Sequence, residues 1–519
     1  MKRANEEHPS RPLLLDEYLR RSLLATVYDV ARETPLDRAP RLSAKLGHDV
    51  RLKREDTQPI FSFKLRGAYN KMVRLPPEVL ARGVVAASAG NHAQGVALSA
   101  AKLGTHAVIV MPVTTPSIKV EAVRALGGEV VLIGDTYEQA AAHALGLEIE
   151  RGLTFVPPYD DPDVIAGQGT IGIELLRQCP GPLDVVFVPV GGGGLIAGIG
   201  AVIKALRPGV KIVAVEPEGA DAMVRSLREG RTVTLDRVSR FAEGVAVRTP
   251  GTETLRVARQ VVDDCVVVTN DEICAAVRDL FEDRRAVMEP SGALAYAGMK
   301  RWVADHPEVK SATLVAITSG ANMNFDRLKH VSERADVGER REVMLAVTIP
   351  EQAGSFRRFC QVLGRTYVTE CSYRHGGGGE ARVFLGVRAG GRRDGEQLAS
   401  SLRDAGYAVV DLTDDEIAKL HVRHLAGGRA PHVRQERLFS FVFPERTGAL
   451  SEFLSAMTHP WNISLFHYRN DGTDFGRVLV ALEVPPDDSR ELDVFLARVG
   501  FEWAEVGESP ACRMFLGAG

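Results

Sequence analysis

Lys64 stands in the run PIFSFKLRGAYN, a lone lysine in the FSFKL stretch, flanked by phenylalanines and a leucine where an amphipathic helix begins. Such a lysine has an ordinary reading, in which its stem covers apolar surface and its head reaches water. It also has a chemical reading, because a desolvated ammonium loses its proton easily and the neutral amine attacks carbonyls to form a Schiff base. Three other stretches have the composition of ligand loops: VVAAS runs into AGNH at 89–92, VVFVPV into GGGG at 191–194, and TLVAIT into SGAN at 319–322. Each puts small residues where a strand gives way to a helix. A helix start offers unpaired N–H groups and the positive end of its dipole to an anion or a polar ring edge. Gly191, Gly192, Gly193 and Gly194, followed by Leu195, form the natural cradle for a phosphate, since glycine permits close approach and positive φ. The run lacks the Lys-Ser/Thr of a nucleotide P-loop. Gly192, Gly194 and Ala197 also fit a G-x-G-x-x-A dinucleotide fingerprint, with Glu216 after the next strand where a ribose-binding acid would stand. A tight turn with no ligand is a third reading. Lys64 tips the balance toward a phosphate site that serves Schiff-base chemistry.

These residues need a frame. Up to about residue 335, short apolar runs alternate with helical patterns. VVAAS, AVIVM, VVLI, VVFVPV, KIVAV and TLVAIT read as strands, and 91–103, 117–126, 195–206 and 291–304 as helices. The alternation predicts an α/β fold with an open, mostly parallel sheet covered on both faces. With all strands parallel, the three loops emerge on one edge of that sheet, where ligands bind. Val185 to Ile203 carries no charge and approaches the length of a membrane span. Pro189 and the four glycines make it a buried strand, loop and helix instead. VSERADVGERRE is charged and without apolar periodicity, which places a boundary near 330–342. Beyond it a repeat of about 94–95 residues begins. VMLAVTIPEQAGSFRRFCQVLG matches RLFSFVFPERTGALSEFLSAMT, aligning Pro350 with Pro444 and Gly354 with Gly448. Phe356, Phe359, Cys360 and Leu363 recur at helical spacing, as do Leu450, Phe453, Leu454 and Met457. Each copy reads strand, helix, strand, strand, helix, strand, a ferredoxin-like α+β unit. Between the copies, DDEIAKLHVRHLAGGRAP reads as a helix and a glycine-rich turn.

The bulk composition narrows the function classes. A chain of 519 residues, 45% hydrophobic and 25% charged, has the mix of a soluble globular protein of several domains. A net charge of −3 gives no electrostatic case for nucleic acid or an acidic membrane surface. The six cysteines form no C-x-x-C pair, and no His/Cys/Asp/Glu cluster has metal-ligand spacing. A reduced, cytoplasmic compartment is expected. The start, MKRANEEHPSRP, has no apolar run behind its basic residues and does not read as a signal peptide.

SFKLRGA, SAGNH, IAGQGT, VGGGGL, FAEGVAV, EPSGALA and TSGAN, in this order, resemble the fold type II enzymes that use pyridoxal 5′-phosphate (PLP). Among them the chain is most similar to the biosynthetic threonine dehydratases (threonine ammonia-lyases), from about Leu13 to the C-terminus. The resemblance implies that Lys64 forms the internal aldimine, Phe63 lies against the cofactor, and Asn91 hydrogen-bonds its 3′-oxygen. Gly191, Gly192, Gly193, Gly194 and Leu195 would hold the phosphate and Ser319 would face the pyridine nitrogen. Gly244 and Glu289 would line the cofactor, although Glu289 has the plainer reading of an acid at a helix N-terminus. Ser88, Ala89, Gly90, Asn91 and His92 would bind the substrate carboxylate. Where racemases of this fold carry a second serine, this chain has Ala89, which cannot donate a proton to the opposite face.

The implied activity is the dehydration and deamination of L-threonine to 2-oxobutanoate and ammonia, a carbon–oxygen lyase reaction that opens isoleucine biosynthesis. A serine opposite the pyridine nitrogen leaves the ring a weaker electron sink than an aspartate would, which suits β-elimination better than transamination. The repeat resembles a pair of ACT-like modules, implying isoleucine as inhibitor and valine as antagonist, with Arg446 and Phe466 of the second copy as residues to test. A purely structural oligomerisation module is the alternative. The expected organisation is a flexible N-terminus (1–12), a catalytic domain (13–335), ACT-like domains at 341–413 and 436–515, and a linker helix and turn (414–435), in a homo-oligomer, a tetramer by resemblance. A serine dehydratase or racemase of the same fold is a second reading, and a non-catalytic amino-acid-binding regulatory protein a third. Glu216 could serve a cation, but Ala222 stands where a further carboxylate would help.

Overall fold

Strands form where β-branched and small apolar residues run without interruption, because both faces of each run are covered. In the first 323 residues they are β1 (Leu36–Arg38), β2 (Asp49–Arg54), β3 (Val84–Ala87), β4 (Ala107–Met111), β5 (Glu129–Leu132), β6 (Thr154–Phe155), β7 (Val185–Pro189), β8 (Lys211–Pro217), β9 (Asp264–Val268) and β10 (Thr313–Thr318). The computed structural model describes residues 14–350, 352, 355–364, 366–373, 379–424, 435–444, 449–459, 461, 463–469 and 475–516. The chain divides into two compact units, Met1–Met323 and Asn324–Gly519.

The first unit holds two sheets where the strand pattern suggested one. The larger has the order β1-β2-β10-β7-β8-β9 and is parallel except for β1 against β2. The smaller, β5-β4-β3-β6, is parallel throughout. Hydrophobic patterning reports that a strand is buried, not which strand lies beside it. As a result the loop after β3 leaves the small sheet, while the loops after β7 and β10 leave the large one. The large sheet packs Val186, Val188, Ile212, Val315 and Ile317 against the fully buried helix face of Ile196, Ile199 and Ile203. The small sheet packs Val84, Ala86, Ile109 and Met111 against Ala93, Val96 and Ala97 of the helix Asn91–Leu103.

The second unit opens with a helix, Arg327–Gly338, where the sequence suggested an unstructured boundary. Its buried residues are Arg327, His330, Val331, Arg334, Ala335 and Val337. The spacing is helical, but three of the six are polar, which hides the period from a reading of apolar residues alone. Arg334 pairs with Glu416 at 2.6 Å within the same unit. The two repeats follow. β11 (Glu342–Pro350), β12 (Val368–Tyr373), β13 (Glu380–Arg388) and β14 (Ala408–Asp411) order as β12-β13-β11-β14; β15 (Glu436–Pro444), β16 (Ile463–Arg469), β17 (Phe475–Glu483) and β18 (Glu502–Glu505) order as β16-β17-β15-β18. Both sheets are antiparallel. Even an irregularity recurs, with a register shift between Val368 and Glu370 in the first copy and between Ile463 and Leu465 in the second.

The repeat helices Ser355–Leu363 and Ala449–Ala456 bury Phe359 and Phe453 at equivalent positions, whereas Leu454 is exposed. Glu416–Leu420 supplies the linker helix. The glycine-rich turn after it, Gly354, Arg446, Gly448 and the side chains of Cys360 and Leu450 lie outside the described residues.

Candidate active site

Lys64 is the first residue of the helix Lys64–Met72. The segment leading to it is stitched to the loop after β10. Ser62 bridges Gly320, the Phe63 N–H donates to Ser319 O at 3.3 Å, and the Ala321 N–H donates to Phe61 O at 2.9 Å. The residue is half-buried and its Nζ donates to Pro158 O at 2.9 Å, with the ammonium 5.3 Å from the Phe63 ring centre. Desolvation pushes the ammonium down to about 8, against the opposing pull of the Glu289 carboxylate. A tenth of the population is then neutral near pH 7, enough to supply a nucleophile.

Asn91 begins the helix after β3 and reaches across to the other loops. Its Nδ2 donates to Glu289 Oε1 at 2.7 Å and its Oδ1 accepts from Asn322 Nδ2 at 2.7 Å. Asn322 also donates to Ile60 O at 2.7 Å, tying Asn91 to the segment that leads to Lys64. An amide nitrogen carries two hydrogens, and Glu289 takes one of Asn91's. Glu289 does occupy the N-cap position of the helix Pro290–Asp305, but its side chain makes no cap bond. It accepts instead from Asn91 and from Ser291 Oγ at 3.1 Å. Burial raises its carboxyl, and these two donors oppose that rise. Ser319 is buried and its hydroxyl donates to Ser291 O at 3.1 Å. At Gly244 a side chain would run into Ser291 Oγ, 2.5 Å from an added Cβ.

The glycine run is shaped by close approach. A Cβ on Gly191 would lie 2.8 Å from Val245 Cα, and one on Gly192 would fall 2.2 Å from atoms of the Tyr159 ring. Gly193 has φ +96°, the left-handed region. Gly192 O accepts from Thr254 Oγ1 at 2.6 Å and from the Gly251 N–H at 3.2 Å, which anchors the loop by its carbonyl. The N–H groups of Gly194 and Leu195 open the helix Gly194–Leu206, and a phosphate fits such an opening. The loop 88–92 is held at its base, where the Ser88 N–H donates to Val110 O at 3.1 Å and Ser88 Oγ accepts from the Gly90 N–H at 3.2 Å. Ala89 brings no polar side-chain atom to it.

The structure adds residues to which the sequence reading gave no role. Ser291 and Asn322 stood unassigned inside EPSGALA and TSGAN. The segment 156–159 was missed: Val156 O and Pro158 O hold His92 and Lys64, and Tyr159 lies under the glycine loop. Backbone carbonyls have no sequence signature, so only the short PPYDD run offered a hint. Glu216 is not a ligand-facing acid. It is buried and its carboxylate accepts from the N–H groups of Met223 (3.2 Å) and Val224 (2.7 Å), capping the helix Ala222–Glu229. Burial holds its carboxyl well above the usual range. Each of its two carboxylate oxygens is thus engaged by backbone within the fold.

Residues 27–320 match the family described as pyridoxal-phosphate dependent enzyme, and 333–422 and 427–516 each match the C-terminal regulatory domain of threonine dehydratase. The L-threonine dehydratase biosynthetic IlvA of Burkholderia multivorans is 54% identical over 503 residues, spanning 96% of this chain and 99% of that one. The chain belongs to the biosynthetic threonine dehydratase family. Its cofactor is pyridoxal 5′-phosphate, which the amine, the glycine cradle and the Asn91–Glu289 pair suit in chemistry. The Escherichia coli K12 member is 52% identical over 96% of this chain and 97% of its own length. Among solved structures, the processed threonine deaminase isoform 2 of Solanum lycopersicum is 51% identical with a TM-score of 0.61, covering 62% of this chain and 93% of that one. Maize serine racemase is 32% identical with a TM-score of 0.58, covering 62% and 97%. Among the described residues no helix is long and apolar enough to cross a membrane and no acid, His or Cys cluster is arranged for a metal ion.

Proposed function

We propose that this protein converts L-threonine to 2-oxobutanoate and ammonia under feedback control, the first step toward isoleucine. The observation that carries the reading is the Lys64 amine, desolvated and under the field of the Glu289 carboxylate, which Asn91 holds while Asn322 holds Asn91. When bound, PLP supplies an aldehyde that joins amines and a ring that draws electrons from the adjacent carbon. Lys64 is the residue that holds the cofactor and, once a substrate amine has displaced it, the base that takes the Cα proton. Gly191, Gly192, Gly193, Gly194 and Leu195 hold the phosphate by their N–H groups, and Phe63 and Gly244 pack the ring. Asn91, fixed by Glu289, donates to the 3′-oxygen, while Ser319 faces the ring nitrogen. Ser88, Ala89, Gly90, Asn91 and His92 receive the carboxylate. With alanine at 89, the face of Cα opposite Lys64 has no acid from this loop, which disfavours racemisation.

The domains read as a catalytic domain (13–335) and two regulatory modules (341–413 and 436–515) joined by 414–435; the start (1–12) lies outside the described residues. The modules bind isoleucine as inhibitor and valine as its antagonist. Isoleucine must favour the less active state by its own differential affinity, on the order of 1–3 kcal/mol for ordinary coupling. We place the protein in the cytoplasm as a homotetramer; a chain of 519 residues whose six cysteines form no C-x-x-C pair suits a reduced compartment.

The test is keto-acid release from threonine and from serine, with and without isoleucine. Release from threonine that isoleucine suppresses and valine restores is the expected result. Preference for serine would move the substrate, and no release from either would overturn the reading.

A further inference from the structure

His92 is 3% exposed, and its imidazole makes one hydrogen bond, from Nε2 to Val156 O at 2.8 Å. A carbonyl can only accept, so Nε2 carries the proton and Nδ1 presents a lone pair. That lone pair is buried with no hydrogen-bond partner among the described residues, and a buried bare acceptor is costly unless something uses it. Desolvation, reinforced by the nearby Lys64 ammonium, pushes the imidazole down to about 3, so Nδ1 stays a lone pair throughout the neutral range.

Two features place the ring beside Lys64. Gly95, one helical turn beyond His92 on the same face, approaches so closely that an added Cβ would lie 3.3 Å from Lys64 C. The segment that holds the imidazole through Val156 O also holds the Lys64 ammonium through Pro158 O, two residues on. Of the charged groups that act on Lys64, Glu289 is engaged by Asn91 and Ser291.

We infer that His92 Nδ1 is the acceptor that orients the Lys64 amine after substrate has freed it, which makes His92 a positioning residue for the proton transfer at Cα. This rests on Lys64 being the base. An amine that has taken the Cα proton is an ammonium with three donors. Pro158 O receives one, and a neutral imidazole lone pair receives another without adding charge.

Two isosteres separate this role from simple anchoring. Gln at 92 sets an amide nitrogen where Nε2 stands, keeping the Val156 bond and losing the acceptor. Asn sets a side-chain oxygen where Nδ1 stands, keeping the acceptor and losing the anchor. In the PLP-loaded full-length enzyme, His92→Gln is expected to lower kcat for threonine by roughly tenfold or more, the worth of a hydrogen bond to a charged group, with little change in KM. Losing an acceptor of the ammonium favours the neutral amine, so the acid limb of kcat moves to lower pH. His92→Asn is expected to retain more kcat than His92→Gln. Wild-type kcat and an unmoved limb in the Gln variant, or an Asn variant worse than Gln, would overturn the inference and leave only an anchor.

Borohydride reduction of the same samples keeps the two readings apart. PLP fixed on Lys64 with an indifferent Gln variant sinks this inference alone, whereas PLP on another lysine sinks the base assignment with it. Should the Gln variant fail to fold, wild-type protein labelled with ¹⁵N-histidine decides. The bare nitrogen resonance must shift when L-2-aminobutyrate, which has no leaving group, displaces Lys64, and an unmoved resonance refutes the inference.

Discussion

The two units of this chain specify themselves in opposite ways. In the unit ending at Met323, particular residue types occupy particular points: Lys64 at a helix start, glycines where Val245 and Tyr159 leave no room for a Cβ, Asn91 linking Asn322 to Glu289. In the unit from Asn324, two copies share topology, register and even a register shift while differing in what fills them. The first copy packs Val343, Leu345, Val347, Val383 and Leu385 around Phe359. The second packs Phe439, Phe441, Phe443, Phe495 and Trp461 around Phe453, with ring centres 5.0 Å apart for Phe441–Phe453 and Phe443–Phe453. Cores tolerate such exchange when volume and pattern are kept; a reacting amine tolerates none.

Substitution should expose this difference. Lys64→Ala should lower kcat by about 10²–10⁴-fold or more with little change in melting temperature, and a variant that turned over threonine well would break the contrast at its strongest point. Phe453→Ala should remove about 3–5 kcal/mol from its module, measured by denaturant unfolding, and abolish the isoleucine response while basal turnover persists. Phe359→Ala should act alike in the first copy, and a collapse of basal turnover in either would show that catalysis depends on the repeat. Gly191→Ala, forcing a Cβ to within 2.8 Å of Val245 Cα, should weaken PLP binding by about 1–3 kcal/mol in an absorbance titration; unchanged affinity would remove the loop from the phosphate site. The smallest effect is in pH. PLP uptake by cofactor-free protein needs the neutral amine, so its rate should rise as pH passes about 8 and then level off. Glu289→Gln, removing a charge that favours the ammonium, should move that midpoint to lower pH.

The same contrast explains what was legible from sequence. Motifs with side-chain identity, such as SFKLRGA, VGGGGL and TSGAN, marked the loops of the first unit, and self-similarity at a fixed spacing, with Pro350 and Pro444 in register, revealed the repeat in the second. What escaped was information that no single residue type carries. Val156 and Pro158 act through carbonyl oxygens that any residue possesses. The division into two sheets depends on strand pairing, which the burial pattern of β3 does not encode. The helix Arg327–Gly338 was hidden because Arg327, His330 and Arg334 share its buried face. Glu216 could not be assigned from sequence because an acid after a strand looks the same whether it meets a ligand or caps the next helix; here it accepts from Met223 and Val224.

The central claim is that Lys64, among the 64 lysines and arginines of this chain, is the one that carries the cofactor. Borohydride reduction of the PLP-loaded protein, followed by digestion and mass spectrometry, tests it directly. The account predicts a single pyridoxyl-modified peptide containing Lys64, and its absence after prior incubation with 2-aminobutyrate, which frees the lysine. Stoichiometric label on a different lysine, or none on Lys64, would contradict it.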